Sequence, residues 1–191
     1  MSRRAVQSRI ARTAESLFVL KGFEETTVDE IAAAVGMSQR SFFRYFASKD
    51  EVVLDSLERL GEDMAERLAA QPVEESEWEA LRRAFDPIVE RYADPGFREH
   101  DAALQQIVKS SPRLFAAYLG RLDGLQRSLS EMLLDRAADR AGRDRDPLVL
   151  RAIVGGAFAC LHVTMVHAAA EPDEFGGCLD RTMAAVRPAA A

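Results

Sequence analysis

Apolar residues recur at three- and four-residue intervals from one end of the chain to the other, and strand-like alternation persists nowhere. This feature limits the fold more than any other. A helix with one apolar stripe must find cover for it on another helix, so the chain is expected to be all-α. Its 191 residues, 48% hydrophobic and 29% charged, suffice for a packed core and argue against wholesale disorder.

About nine helices are expected. The first runs from Arg4 to Lys21 with Ala11, Ala14, Leu17 and Phe18 as its stripe; Gly22 ends it and Phe23 packs back. In the second, Thr27 and Glu30 have capping-box spacing, Val28, Ile31, Ala32 and Val35 face inward, and Gly36 supplies the left-handed stop. Ser38 caps a third, short helix reaching Tyr45. Ser48 and Glu51 form a second box that launches a long helix with Val52, Leu57, Leu60, Met64 and Leu68 as its apolar edge. The next stripe, Trp78, Leu81, Phe85, Ile88, Val89 and Tyr92, meets Pro87. Either the helix kinks there, or Asp86 caps a new one. A shorter helix over 97–109 follows, then one from Pro112 to about Arg140 and one from Asp146 and Pro147 to Ala170. The last helix carries Leu179, Met183 and Val186, and the tail "RPAAA" is expected to fray.

Several function classes lack support. Cys160 and Cys178 stand in no CxxC pair, which predicts neither a disulfide framework nor a zinc site and fits a reducing cytosol. His162 and His167 are five apart, so they do not share a helical face for a metal. No GxSxG, Walker loop, GxGxxG or HExxH occurs, so no enzyme activity, cofactor or metal is expected. The basic start lacks the apolar core of a signal peptide. Residues 152–170 carry no Asp, Glu, Lys or Arg and just reach the length of a membrane span. Yet they hold two His, a Thr and a Gly pair, with no Trp or Tyr at the ends. A helix buried on all sides within protein accounts for them better, and no membrane partner is expected.

The net charge of −6 is unevenly divided. Residues 1–49 hold eight Lys and Arg against five Asp and Glu, whereas the remainder is strongly acidic. At physiological salt the Debye length is about 8 Å, so a distant acidic region would hardly oppose a polyanion at the basic end.

The stretch "VGMSQRSFFRYFASKDE" sits in that basic part. Two short helices joined by a tight Gly turn and held by a preceding helix form a helix-turn-helix, whose second helix enters the DNA major groove. Phe42 and Phe46 point inward, leaving Gln39, Arg40, Ser41, Phe43, Arg44 and Tyr45 outside. Exposed Phe43 and Tyr45 are wasteful on a solvated face but can meet thymine methyls, sugars and phosphates.

Residues 10–55 resemble the DNA-binding domain of TetR/AcrR-family transcriptional regulators. The resemblance lies in Lys21-Gly22-Phe23, Thr26-Thr27, Ile31-Ala32, Gly36-Met37-Ser38, Ser41, Phe42-Phe43, Tyr45-Phe46 and Ser48-Lys49-Asp50. It implies phosphate contacts at Thr26, Thr27 and Lys49, groove entry by Ser38, Gln39, Arg40 and Ser41, and backbone contacts by Phe43 and Tyr45. Arg40 and Arg44 depart from the family's usual residues and are expected to read guanine, which Arg grips through two hydrogen bonds. The implied division is a helix-turn-helix domain over 1–49 and a helical regulatory and dimerisation domain over 50–191. The implied protein is a cytoplasmic, ligand-responsive repressor that binds a palindromic operator in double-stranded DNA as a homodimer.

In the family the last two helices of each subunit form the dimer. Here the apolar helix has a small-residue side, Ala152, Gly155, Ala159, Val163 and Val166, suited to close approach, and Leu179, Met183 and Val186 could complete an interface. Family members commonly bind a small molecule among the middle helices. Trp78, Phe85, Tyr92, Phe97, Phe115, Tyr118, Phe158, His162 and Met165 are the candidate liners, and they favour a largely apolar effector. The competing reading is a helical small-molecule-binding or scaffold protein without operator-specific DNA binding.

Overall fold

The structure is a computed structural model that describes residues 2–138, 146–168 and 174–188. The expected end of the long helix near Arg140, the start of the charged loop that follows it, the apolar helix's end at Ala170 and the last tail residues lie outside the described residues. Among the described residues there are ten helical segments and no strand: α1 (Arg3–Lys21), α2 (Val28–Ala34), α3 (Gln39–Phe42), α4 (Lys49–Ala69), α5 (Glu77–Ala84), α6 (Asp86–Tyr92), α7 (Pro95–Ser110), α8 (Pro112–Ala138), α9 (Pro147–Ala168) and α10 (Phe175–Ala185). They fall into two compact units. The first comprises Met1–Glu58 and Glu99–Arg121, the second Arg59–Arg98 and Leu122–Ala191. Unit 1 is thus larger than the expected 1–49 domain, because Leu104, Ile107, Val108 and Leu114 share a core with α1–α4.

In unit 1, α1 begins at Arg3 because Ser2 caps it, its hydroxyl accepting from the Ala5 amide at 3.2 Å. Ile10, Ala11, Ala14 and Phe18 form the buried stripe. Gly22, at φ 93°, ends the helix, and Phe23 returns to meet Phe18 edge-on at 5.0 Å. α2 carries the complete box between Thr27 and Glu30. Its exit is closed by amides of Gly36 and Met37 donating to Ala33 and Ala32 carbonyls, with Gly36 at φ 73°. α3 is shorter than the expected helix to Tyr45. After Phe42 the chain tightens: the amides of Arg44 and Tyr45 donate to the carbonyls three residues back. This keeps both Phe42 and Phe46 in the core.

In unit 2, the stripe interrupted by Pro87 is two helices rather than one kinked helix. Phe85 is the junction, and Asp86 does not cap α6 but accepts from Arg82 at 2.8 Å. Trp78, Leu81, Phe85, Leu129, Leu133, Leu150, Val154, Phe158 and Leu179 belong to one apolar core. α9, long and apolar enough by composition to cross a membrane, is not buried on all sides as expected. Val154, Ala157, Phe158, Leu161 and Thr164 face the core, while Ala152, Ala159, Val163 and Val166 are exposed.

Candidate nucleic-acid interface

The interface is built around a four-residue helix that could not stand alone. Phe42 anchors it from below, fully buried, with Phe46 at 5.9 Å. Ser38 holds its start: its hydroxyl accepts from the Ser41 amide at 3.2 Å and meets the Ser41 hydroxyl at 3.0 Å. With the buried side fixed, Ser38, Gln39, Arg40, Phe43 and Arg44 are exposed, and Ser41 and Tyr45 are half-buried. Phe43 leaves 49% of its surface to solvent although it stacks edge-on against Phe42.

Two residues expected at phosphate do other work. Thr26 is 1% exposed, and its hydroxyl donates to the Gly22 carbonyl at 2.8 Å, closing the turn after α1. Lys49 points its ammonium into the same turn. Nζ donates to the carbonyls of Phe23, Glu24 and Thr26 at 2.7, 3.1 and 3.3 Å and lies 4.4 Å from the centre of the Phe23 ring. Thr27 remains exposed at the start of α2. Glu30, its partner in the box, accepts from Lys21 at 2.6 Å and from the Thr27 amide at 2.9 Å. These donors, Lys21 first, hold the Glu30 carboxyl down at about 2.

Sequence reasoning missed the first turn of α1. Arg3 donates from Nη2 to the Arg44 carbonyl at 2.9 Å, and its guanidinium lies 5.6 Å from the centre of the Tyr45 ring. The Arg44 guanidinium lies 5.9 Å from the same ring, and Gln7 reaches the Tyr45 carbonyl at 3.5 Å. Arg9 caps the end of α2 by donating to the Val35 carbonyl at 3.2 Å. The signal was present: four Arg in the first twelve residues and no acid before Glu15. Also unforeseen was the pairing of Glu15, 3% exposed on α1, with His100 at 2.8 Å.

The expected interface and effector residues divide. Of the interface set, Ala152, Ala159, Val163, Val166 and Val186 are exposed and Gly155 half-buried, but Leu179 and Met183 are spent on the core of their own unit. Of the effector set, Trp78, Phe85, Tyr92 and Phe158 pack in the unit 2 core with Phe97 and Met165 against it. Phe85 meets Phe158 edge-on at 5.3 Å, Tyr92 stacks on Phe175 at 4.3 Å, and the Trp78 indole donates to the Met183 carbonyl at 3.1 Å. Phe115 and Tyr118 belong to unit 1, and His162 is exposed. A cleft of about 280 Å³ in unit 2 is charged, lined by Glu75, Glu79, Arg82, Arg83, Asp86 and Asp180.

Residues 10–55 match the family described as bacterial regulatory proteins, tetR family. Over 147 residues the chain is 34% identical to the HTH-type transcriptional regulator TcmR of Streptomyces glaucescens, covering 75% of this chain and 63% of TcmR's length. The fold is similar to Thermus thermophilus FadR, a TetR-family repressor solved with lauroyl-CoA, at a TM-score of 0.56 and 25% identity over 97% of this chain and 98% of FadR. It is also similar to SmeT, the repressor of a Stenotrophomonas maltophilia efflux pump, solved with triclosan, at a TM-score of 0.62 and 21% identity over 95% of this chain and 91% of SmeT. With the capped, Gly-turned helix pair lying inside the matched residues, residues 10–55 are a domain of the tetR family of bacterial regulatory proteins.

Proposed function

We propose that the protein is a cytoplasmic transcriptional repressor that binds a palindromic operator as a homodimer and releases it on binding a largely apolar small molecule. The observation that carries this reading is α3: Phe42 and Phe46 are sunk into the core while Gln39, Arg40 and Phe43 stand exposed on the opposite side. A helix so fastened can enter the major groove without rearranging. Gln39 and Arg40, at its first turn, have the chemistry to meet adenine and guanine edges, and Phe43 the apolar surface for sugar or a thymine methyl. Thr27 is the phosphate contact that remains at α2.

One α3 touches few base pairs, and two symmetry-related copies double the contacts. The exposed apolar side of α9, with Val186, supports pairing of two subunits there, since such a surface is costly in water. FadR's lauroyl-CoA and SmeT's triclosan support an apolar effector. It would be taken up among Trp78, Phe85, Tyr92, Phe97, Phe158 and Met165, with those packed rings rearranged. A ligand that favours one spacing of the two α3 helices shifts the population between binding and release.

The test is footprinting on the DNA upstream of the protein's own gene across a salt series, beside a mixed-sequence duplex. The expected result is a protected palindrome, a steep salt dependence and a specific-to-nonspecific ratio of at least ~10³. Equal affinity for both duplexes would overturn operator recognition. Trp78, the sole tryptophan, reports on the effector: lauroyl-CoA or triclosan, used as probes, should shift its emission and lower operator affinity together. An emission shift that leaves operator affinity unchanged would argue against ligand control.

A further inference from the structure

We propose that Arg3 and Arg44, held about the Tyr45 ring, form a clamp for one DNA phosphate, making the first turn of α1 part of the nucleic-acid interface. The proposal rests on the reading of the protein as a DNA-binding regulator and adds a contact to it.

The geometry brings two cations to one ring. Arg3 lies 5.6 Å and Arg44 5.9 Å from the centre of Tyr45. Arg3 is held in place by donating to the Arg44 carbonyl at 2.9 Å, and its backbone is ordered by the Ser2 cap. Both side chains are exposed, and among the described residues neither guanidinium pairs with a carboxylate. The Tyr45 ring attracts each cation, but two like charges at one site repel. An anion that joins them relieves the repulsion.

The anion that fits is a phosphate of the DNA backbone. A guanidinium carries five N–H donors in a planar fork, and Arg3 spends one on the Arg44 carbonyl, leaving others for phosphate oxygens. The clamp lies beside the last turn of the reading segment, so the duplex that α3 enters must pass it. On this view Arg44 binds backbone rather than guanine, and base reading falls to Arg40 and Gln39. Arg3, the first member of the basic run of Arg3, Arg4, Arg9 and Arg12, then has a purpose beyond its bond to the Arg44 carbonyl.

The experiment compares full-length wild type, Arg3→Gln and Arg3→Lys on the upstream duplex and on the mixed-sequence duplex, each across a salt series. Arg3 is exposed, so thermal unfolding should be unchanged in both variants. If the clamp exists, Arg3→Gln weakens both duplexes by the same factor and flattens the slope of log affinity against log salt by less than the ~0.9 per subunit that losing the whole phosphate contact would give, since Arg44 still meets it, while Arg3→Lys keeps the slope. An unchanged slope in Arg3→Gln overturns the clamp. So does a loss confined to the specific duplex, because Arg3 would then merely orient Arg44 and Tyr45. Wild type that binds neither duplex at low salt overturns the DNA-binding reading itself, a result separate from either of these.

Discussion

At the scale of single residues, Arg40 and Lys49 show how position in sequence and position in space part company. Both were expected at DNA. Arg40 is exposed on α3, whereas the Lys49 ammonium donates to three carbonyls of the turn between α1 and α2. Arg40→Ala should cost about 1–3 kcal/mol of operator binding and relax preference at one base pair per half-site, measured by binding to single-substituted operators. An equal loss on mixed-sequence DNA would show that Arg40 touches only backbone. Lys49→Met should lower folding stability by about 2 kcal/mol in urea unfolding, because hydrogen bonds to a charged donor are among the stronger ones. No sequence pattern separates these two cations. The carbonyls that claim Lys49 lie more than twenty residues earlier in the chain.

At the scale of elements, short helices depend on their caps. α2 has only seven residues, and its box ties Thr27 to Glu30 in both directions. The Glu30 carboxyl is held at about 2, below its ordinary 4.5, by the Lys21 ammonium and by Thr27. The folded value is the lower one, so the box contributes stability fully above pH 4.5. That contribution fades as pH falls from there through about 2. A pH titration of the Glu30 side chain by NMR should give a midpoint near 2. A midpoint near 4.5 would mean that Lys21 and the box do not engage in solution. The caps of α2, α3 and α4 were legible because cap and partner are three residues apart. The end of α3 was not, because the tightening after Phe42 answers to the core that takes Phe46.

At the scale of the whole molecule, the exposed side of α9 is the feature a lone subunit leaves unexplained. Val163 is 56% and Val166 63% exposed, with Ala159 and Ala152 on the same side. The double change Val163→Glu and Val166→Glu should leave the subunit folded, since neither side chain is in its core. If two subunits pair through this side as proposed, the double change should leave a monomer in sedimentation velocity and reduce operator affinity toward that of a single half-site. A variant that stays dimeric would move the interface elsewhere. Periodicity found this helix but over-read it: an uncharged run looks buried on all sides whether its cover comes from its own subunit or from another.

What the sequence determined by itself is local: about nine helical runs with the break at Pro87 left open, the two glycine stops, the cap pairs, and a short segment with Phe42 and Phe46 inside and Arg40 and Phe43 outside. These follow from interactions within three or four residues, which periodicity and spacing record directly. Only the tertiary structure decided that Thr26 and Lys49 close a turn, that Arg3 meets Tyr45, that Glu15 is buried against His100, that residues 99–121 belong with the first unit, and that Leu179 and Met183 serve their own core. Each joins parts of the chain that only packing brings together, and such contacts leave no regular trace along the sequence.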